Sequence, residues 1–127
     1  MKYQISEIKN FMEGWAKDDY QLSWDNSGSQ IEFKDHTESV VLALDLSDKV
    51  IDKAIKMNSK LIITHHPMFF SGEKRIIEGT YRGDNIIKLI KNNISVFSYH
   101  TSMDIASDGV NDTLFEKLNL VNKKNFT

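Results

Sequence analysis

The stretch LIITHHPMFF, residues 61–70, decides how the chain is read. It opens on an aliphatic run, Leu61 to Thr64, with no polar alternation, the pattern of a strand buried on both faces of a parallel sheet. It then stops abruptly on His65, His66 and Pro67. Similar runs lie on either side of it. VVLALDL (40–46) reads as an earlier strand of the same buried kind, and ISVFSY (94–99) as a later one. Between them, Ser47 is a good N-cap for a helical pattern carrying Val50, Ile51, Ala54 and Ile55. A second helix is expected near 83–92, with Ile86, Ile87 and Ile90, and a last one near 110–119, with Val110, Leu114 and Leu118. Strand and helix alternate three times. That order predicts an α/β layered domain, a mainly parallel sheet flanked by helices.

The remaining segments are placed around this frame. Ile5, Ile8, Phe11, Met12 and Trp15 fall at helical spacing, predicting an amphipathic helix over 5–17. WDNSGSQ (24–30) is rich in turn formers and is expected to be a loop, with Asn26 and Gly28 as turn residues and Trp24 as a packed anchor. Residues 68–82 read as a long connection, and TSMDIASDGV (101–110) as a loop. Asn111 and Asp112 fall at the start of the last helix, and the tail VNKKNFT (121–127) is polar.

Composition narrows the chemistry. The chain has 127 residues, which suits one domain, and a net charge of −2, which argues against a nucleic-acid footprint. There is no cysteine, so disulfides, thiolate catalysis and thiolate-held metals are excluded. No run approaches the roughly 20 apolar residues of a membrane span, and the N-terminus lacks the apolar stretch of a signal peptide. A soluble cytoplasmic protein is the expectation. No glycine pattern forms a phosphate cradle.

Three of the four histidines fall at strand ends. His65 and His66 end one strand, His100 ends the next, and Asp104 follows four residues later. Asp45 closes the first strand. In an open parallel sheet these carboxyl ends line one edge, where ligands bind. Two histidines with a carboxylate suit a divalent ion such as Zn, Mn or Fe. Adjacent residues in extended backbone point to opposite sides, and Pro67 biases His66 toward that backbone. His65 and His66 are therefore expected to serve two ions, with Asp104 as a bridge, or one binds while the other orients a neighbour. Each residue has a bland alternative. A histidine at a strand end is ordinarily a hydrogen-bonded structural residue. Asp45 is expected to help cap the helix after Ser47 rather than to bind. His36, in KDHTES, reads as a solvated loop residue.

Four segments together resemble one family: WDNSG (24–28), VVLALDLS (40–47), LIITHHPMFF (61–70) and HTSMDIASDGVND (100–112). They are similar in order and spacing to the GTP cyclohydrolase type 2-like family of dinuclear metal-centre proteins, also called the NGG-interacting-factor-three-like family. The resemblance spans nearly the whole chain. It implies a cytoplasmic protein with two divalent ions per site in a ring-shaped homo-oligomer, often a hexamer. Residue by residue, His65, His66 and Asp104 match metal ligands, while His100 matches a position beside the site. His100 is the candidate general base, should one be needed. The implied activity is a metal-dependent hydrolase acting on a nucleotide or related small molecule. The alternative is a non-enzymatic metal-binding or regulatory scaffold. Ser27, Ser29 and Met103 depart from the usual pattern. The larger departure is length. The family continues into a second α/β half that supplies a His-x-x-x-Glu to the same ions, and none follows Asp104 here. Residues 1–127 thus read as a single domain resembling the N-terminal half of a longer architecture. Weaker metal binding, completion of the site by another chain, and exposed apolar surface favouring self-association are the corresponding expectations.

Overall fold

The computed structural model of the protein describes residues 1–124; the last three residues of the polar tail lie outside them. Six strands and five α-helices follow in the order β1 (Tyr3–Gln4), α1 (Ile5–Trp15), β2 (Gly28–Ile31), β3 (His36–Thr37), β4 (Val40–Ala43), α2 (Asp48–Lys56), β5 (Leu61–Thr64), α3 (Tyr81–Lys91), β6 (Ser95–Ser98), α4 (Thr101–Ile105) and α5 (Val110–Lys117), with a 3-10 turn at Asp18–Tyr20. The main sheet has the order β2-β6-β5-β4. β4, β5 and β6 run parallel, and β2 is antiparallel to β6. A two-stranded ribbon, β1 with β3, stands apart.

Alternation along β5 and β6 builds a core on each face. Ile62 and Val96 point to one side and pack with Ile51, Ala54, Ile86 and Leu89 of α2 and α3. Leu61 and Phe97 point to the other and pack with Ile5, Ala16 and Tyr99. This is the expected layered α/β arrangement, with the two central strands buried on both faces.

Helix ends explain the tight connections. Ser47 Oγ accepts from Val50 N–H, as expected for the cap of α2, and Thr80 Oγ1 accepts from Gly83 N–H at the start of α3. At the other ends, Asn58, Asn93 and Asn119 each take φ 51°. The next residue's N–H then reaches back to Ala54, Leu89 and Phe115 carbonyls respectively. Asn tolerates this left-handed turn better than other non-glycine residues, and it satisfies carbonyls that the helix leaves orphaned.

Several expectations are corrected. The segment 24–30 is not all loop, because Gly28 enters strand β2. Gly28 pairs with Ser98 at φ 102°, a conformation L side chains rarely adopt. β4 is an edge strand rather than one buried on both faces: Leu42 is 74% and Leu44 61% exposed. The segment 101–110 begins with helix α4, started by Met103 and Asp104 N–H bonds to the His100 carbonyl. α1 stops at Trp15, and Phe11 stays on its solvent side. α5 buries none of its residues, so Val110 and Leu114 do not form a core face. His36 lies in the short strand β3 but is exposed, as read.

One core group is at odds with its surroundings. Tyr99 is buried, yet its hydroxyl has no hydrogen-bond partner among the described residues. Burial, with the charges of Glu13, Asp18 and Glu32 behind it, pushes this phenol above its ordinary range. An unpaired buried hydroxyl costs about 1–3 kcal/mol. Tyr99→Phe is therefore expected to stabilise the fold by about 1 kcal/mol, read as a higher urea midpoint with an unchanged slope. A lower midpoint would show that the hydroxyl has a partner in solution.

Candidate metal centre

Strands β5 and β6 end side by side, because Tyr99 N–H bonds the Thr64 carbonyl. Just past those ends His65, His66 and His100 converge. Their ring centroids are 5.1, 5.1 and 5.4 Å apart. Each offers one ring nitrogen, and the three atoms lie within 4.8 Å of one another.

The opposite orientation expected for His65 and His66 is not found, and the backbone gives the reason. In a regular strand consecutive N–H groups bond to opposite neighbours. Here both turn to β4: His65 N–H bonds Ala43 O at 3.2 Å and His66 N–H bonds Leu44 O at 3.0 Å. The pleat is therefore broken after Thr64, and the period of two ends with it. Thr64 Oγ1 holds the twist by donating to the His66 carbonyl at 2.9 Å.

Every imidazole of the trio is held through Nδ1. His65 Nδ1 is 3.0 Å from the Tyr99 carbonyl, which only accepts, so Nδ1 carries the proton. His66 Nδ1 is 2.6 Å from Asp45 Oδ1, and His100 Nδ1 is 3.0 Å from Asp25 Oδ1. In a neutral ring, an Nδ1–H donated outward leaves the lone pair on Nε2. A histidine bound to an oxygen at one nitrogen and free at the other is the arrangement of a metal-ligating imidazole. Asp45 thus positions His66 and does not cap α2, where Ser47 Oγ accepts from Val50 N–H and the Tyr81 hydroxyl from Asp48 N–H. Asp104 Oδ1 lies 3.7 Å from His65 Nε2. That is too long for a hydrogen bond and leaves the carboxylate facing the same nitrogen. The donor set of imidazole and carboxylate fits a divalent ion of the Zn, Mn or Fe type.

Asp25 was not singled out from the sequence, yet it organises the junction. Its side chain is fully buried. It accepts from Thr101 N–H at 2.9 Å, from Thr101 Oγ1–H, from Asn26 N–H at 2.8 Å, and from Ser27 Oγ at 3.1 Å, besides His100. Burial alone would raise this carboxyl. The hydrogen bonds from Thr101, His100 and Asn26 outweigh it and hold the group well below the usual carboxylate range. Ser27 Oγ also accepts from His100 N–H at 3.1 Å, so the WDNSG segment clamps the start of α4. Trp24 is 60% exposed rather than a packed anchor, and its ring stands edge-on to His100 at 5.9 Å. Asn26 ties the segment to the connection after β5 through its amide and the Phe69 carbonyl. Asn111 sits at the start of α5 as read, its amide bonding the Asp104 carbonyl.

Comparison with known proteins agrees with this layout. The Duf34/NIF3 (NGG1p interacting factor 3) family model matches residues 3–127. A GTP cyclohydrolase 1 type 2 homolog of Clostridium acetobutylicum is 35% identical over 98% of this chain and 49% of its own length. A second, from Staphylococcus epidermidis, is 38% identical over 94% of this chain and 32% of its own. Among solved structures, a Bacillus cereus protein related to NIF3 superposes with a TM-score of 0.90 at 36% identity, covering 94% of this chain and 33% of that one. Reduced HcgD from Methanocaldococcus jannaschii superposes at 0.89 with 32% identity, covering 98% and 50%. The chain spans about half or less of the length of these relatives. A mixed α/β sheet ending in a histidine cluster, the family model and the curated relatives all converge: the chain belongs to the Duf34/NIF3 (NGG1p interacting factor 3) family.

Proposed function

We propose that the protein is a cytoplasmic metal-dependent hydrolase acting on a nucleotide or related small molecule. The observation that carries this reading is the anchoring of the trio: three imidazoles each held at Nδ1, with one ring nitrogen of each within 4.8 Å of the others. His65, His66 and Asp104 are the proposed ligands. Two ligand atoms about 2.1 Å from one ion lie at most about 4.2 Å apart. The 3.7 Å between His65 Nε2 and Asp104 Oδ1 meets that limit. Two divalent ions are proposed on the family pattern, and His65, His66 and Asp104 are the residues that would hold them. When bound, such ions supply a water ionised near neutral pH and polarise the substrate.

The chain's own groups divide the rest of the work. His100 differs from the other two in the burial of its partner. His65 leans on a neutral carbonyl and His66 on the exposed Asp45, but His100 leans on a buried, ionised carboxylate. Asp25 fixes the ring's direction and is a ready counter-charge when Nε2 takes a proton. We assign His100 as the general base on this ground. The exposed Leu42 on edge strand β4 and Leu44 just after it support assembly into a homo-oligomer, in the family pattern a hexameric ring.

The test is turnover of GTP and other nucleotides by metal-loaded protein. Turnover is expected, and it is expected to vanish in the His65→Ala/His66→Ala double variant. Turnover that survives in that variant comes from a contaminant. Metal retained without turnover on any nucleotide would favour the non-enzymatic scaffold.

A further inference from the structure

A cleft of about 150 Å³ adjoins the histidine cluster and shares Asp45 and His66 with it. Its other polar walls come from the first turns of α3: Tyr81, Arg82 and Asn85. The volume is well below the roughly 300–1,000 Å³ that encloses a drug-sized ligand. It therefore seats one small group, such as a single ring or the end of a larger molecule.

Asn85 is the telling residue. It is only 6% exposed and lines the cleft. Its amide is not among the buried unpaired groups of the described residues, so it opens to the cleft and can offer both a donor and an acceptor to a molecule seated there.

The charges on the walls decide the class of that molecule. Arg82 is already committed: Nε pairs with Glu73, Nη2 donates to the Met68 carbonyl at 2.6 Å, and the guanidinium lies 5.4 Å from the Phe69 ring. Its charge is offset by Glu73. Asp45 gives Oδ1 to His66 and keeps Oδ2 as a free acceptor, with its side chain 67% exposed. No surplus positive charge remains, and an oxoanion would meet the Asp45 carboxylate. An uncharged group with an N–H beside a C=O satisfies the walls instead. The N–H donates to Asp45 or to the Asn85 oxygen, and the C=O accepts from the Asn85 amide or Arg82.

We propose that this cleft is the recognition subsite of the adjoining centre, that it takes a cyclic amide or ureide edge, and that Asn85 is its specificity-determining residue. The claim that the bound group is substrate rests on the hydrolase reading; the binding itself does not. The experiment therefore uses chelator-treated, isotope-labelled protein, so that failure of the metal reading cannot affect it. Uracil is titrated while the Asn85 side-chain amide signals are followed. Saturable movement of those signals is expected, with affinity about tenfold weaker in Asn85→Leu. A second probe guards against a misfolded variant: 1,3-dimethyluracil keeps the ring and carbonyls but has no N–H, and it is expected to leave Asn85 unmoved in the unaltered protein. The proposal is overturned if uracil does not move Asn85, if the dimethyl compound moves it equally, or if inorganic phosphate moves it and uracil does not.

Discussion

Asp25→Ala is expected to destabilise the protein by about 3 kcal/mol or more, the largest stability loss of any single change considered. The carboxylate is fully buried and accepts from five groups: two on Thr101 and one each on His100, Asn26 and Ser27. Alanine leaves those donors facing a void. Thr101 suffers twice, because its hydroxyl also accepts from Leu22 N–H at 2.9 Å and holds the 3-10 segment against α4. The measurement is the urea unfolding midpoint, and a loss below about 1 kcal/mol would contradict the account. The same residue gives a pH dependence. Folding lowers the Asp25 pKa, so its contribution is complete above the unfolded carboxylate value of about 3.9 and drains away as pH falls below it. The wild type should lose stability through that window.

His66→Ala is expected to have the largest effect on metal affinity, and Asp45→Ala a graded one. Asp45 does not face the metal site directly; it fixes the His66 ring through Nδ1 at 2.6 Å. Loss of such a supporting carboxylate typically weakens metal binding by about 10–100-fold. Loss of the imidazole itself removes a donor atom and should exceed that. Zn²⁺ titration of chelator-treated variants measures both. An Asp45→Ala variant that binds like the wild type would mean that the contact is only a surface ion pair. A variant weaker than His66→Ala would mean that Asp45 binds the ion itself.

The sequence carried the layered frame because its signals were strong. The largely apolar runs at 61–64 and 94–99 fit best between two layers of helices, and their polar ends then meet on one edge. The gathering of His65, His66 and His100 was legible for the same reason, because each follows the end of an apolar run. What the sequence hid were contacts set by tertiary geometry. Asp25 sits among turn formers, and nothing local says that Thr101, 76 positions away, will surround it. β2 was obscured because Gly28 and Ser29 have poor strand propensity, and its pairing with β6 overrides that. β4 looked buried because an apolar edge and an apolar interior have the same composition. The shared direction of His65 and His66 depends on a break in the pleat that no residue type announces.

The central claim is that His65 and His66, fixed at Nδ1, present Nε2 to divalent metal, with His100 held beside them. It is tested most directly by ¹⁵N spectra of the histidine side chains as Zn²⁺ is added to chelator-treated protein. The account predicts that His65, His66 and His100 all start as Nδ1–H tautomers. The Nε2 signals of His65 and His66 then shift as metal binds, with His100 perturbed beside them, while exposed His36 stays where it was. Zinc that binds without moving His65 and His66, or that shifts His36 as much as the cluster, would contradict it.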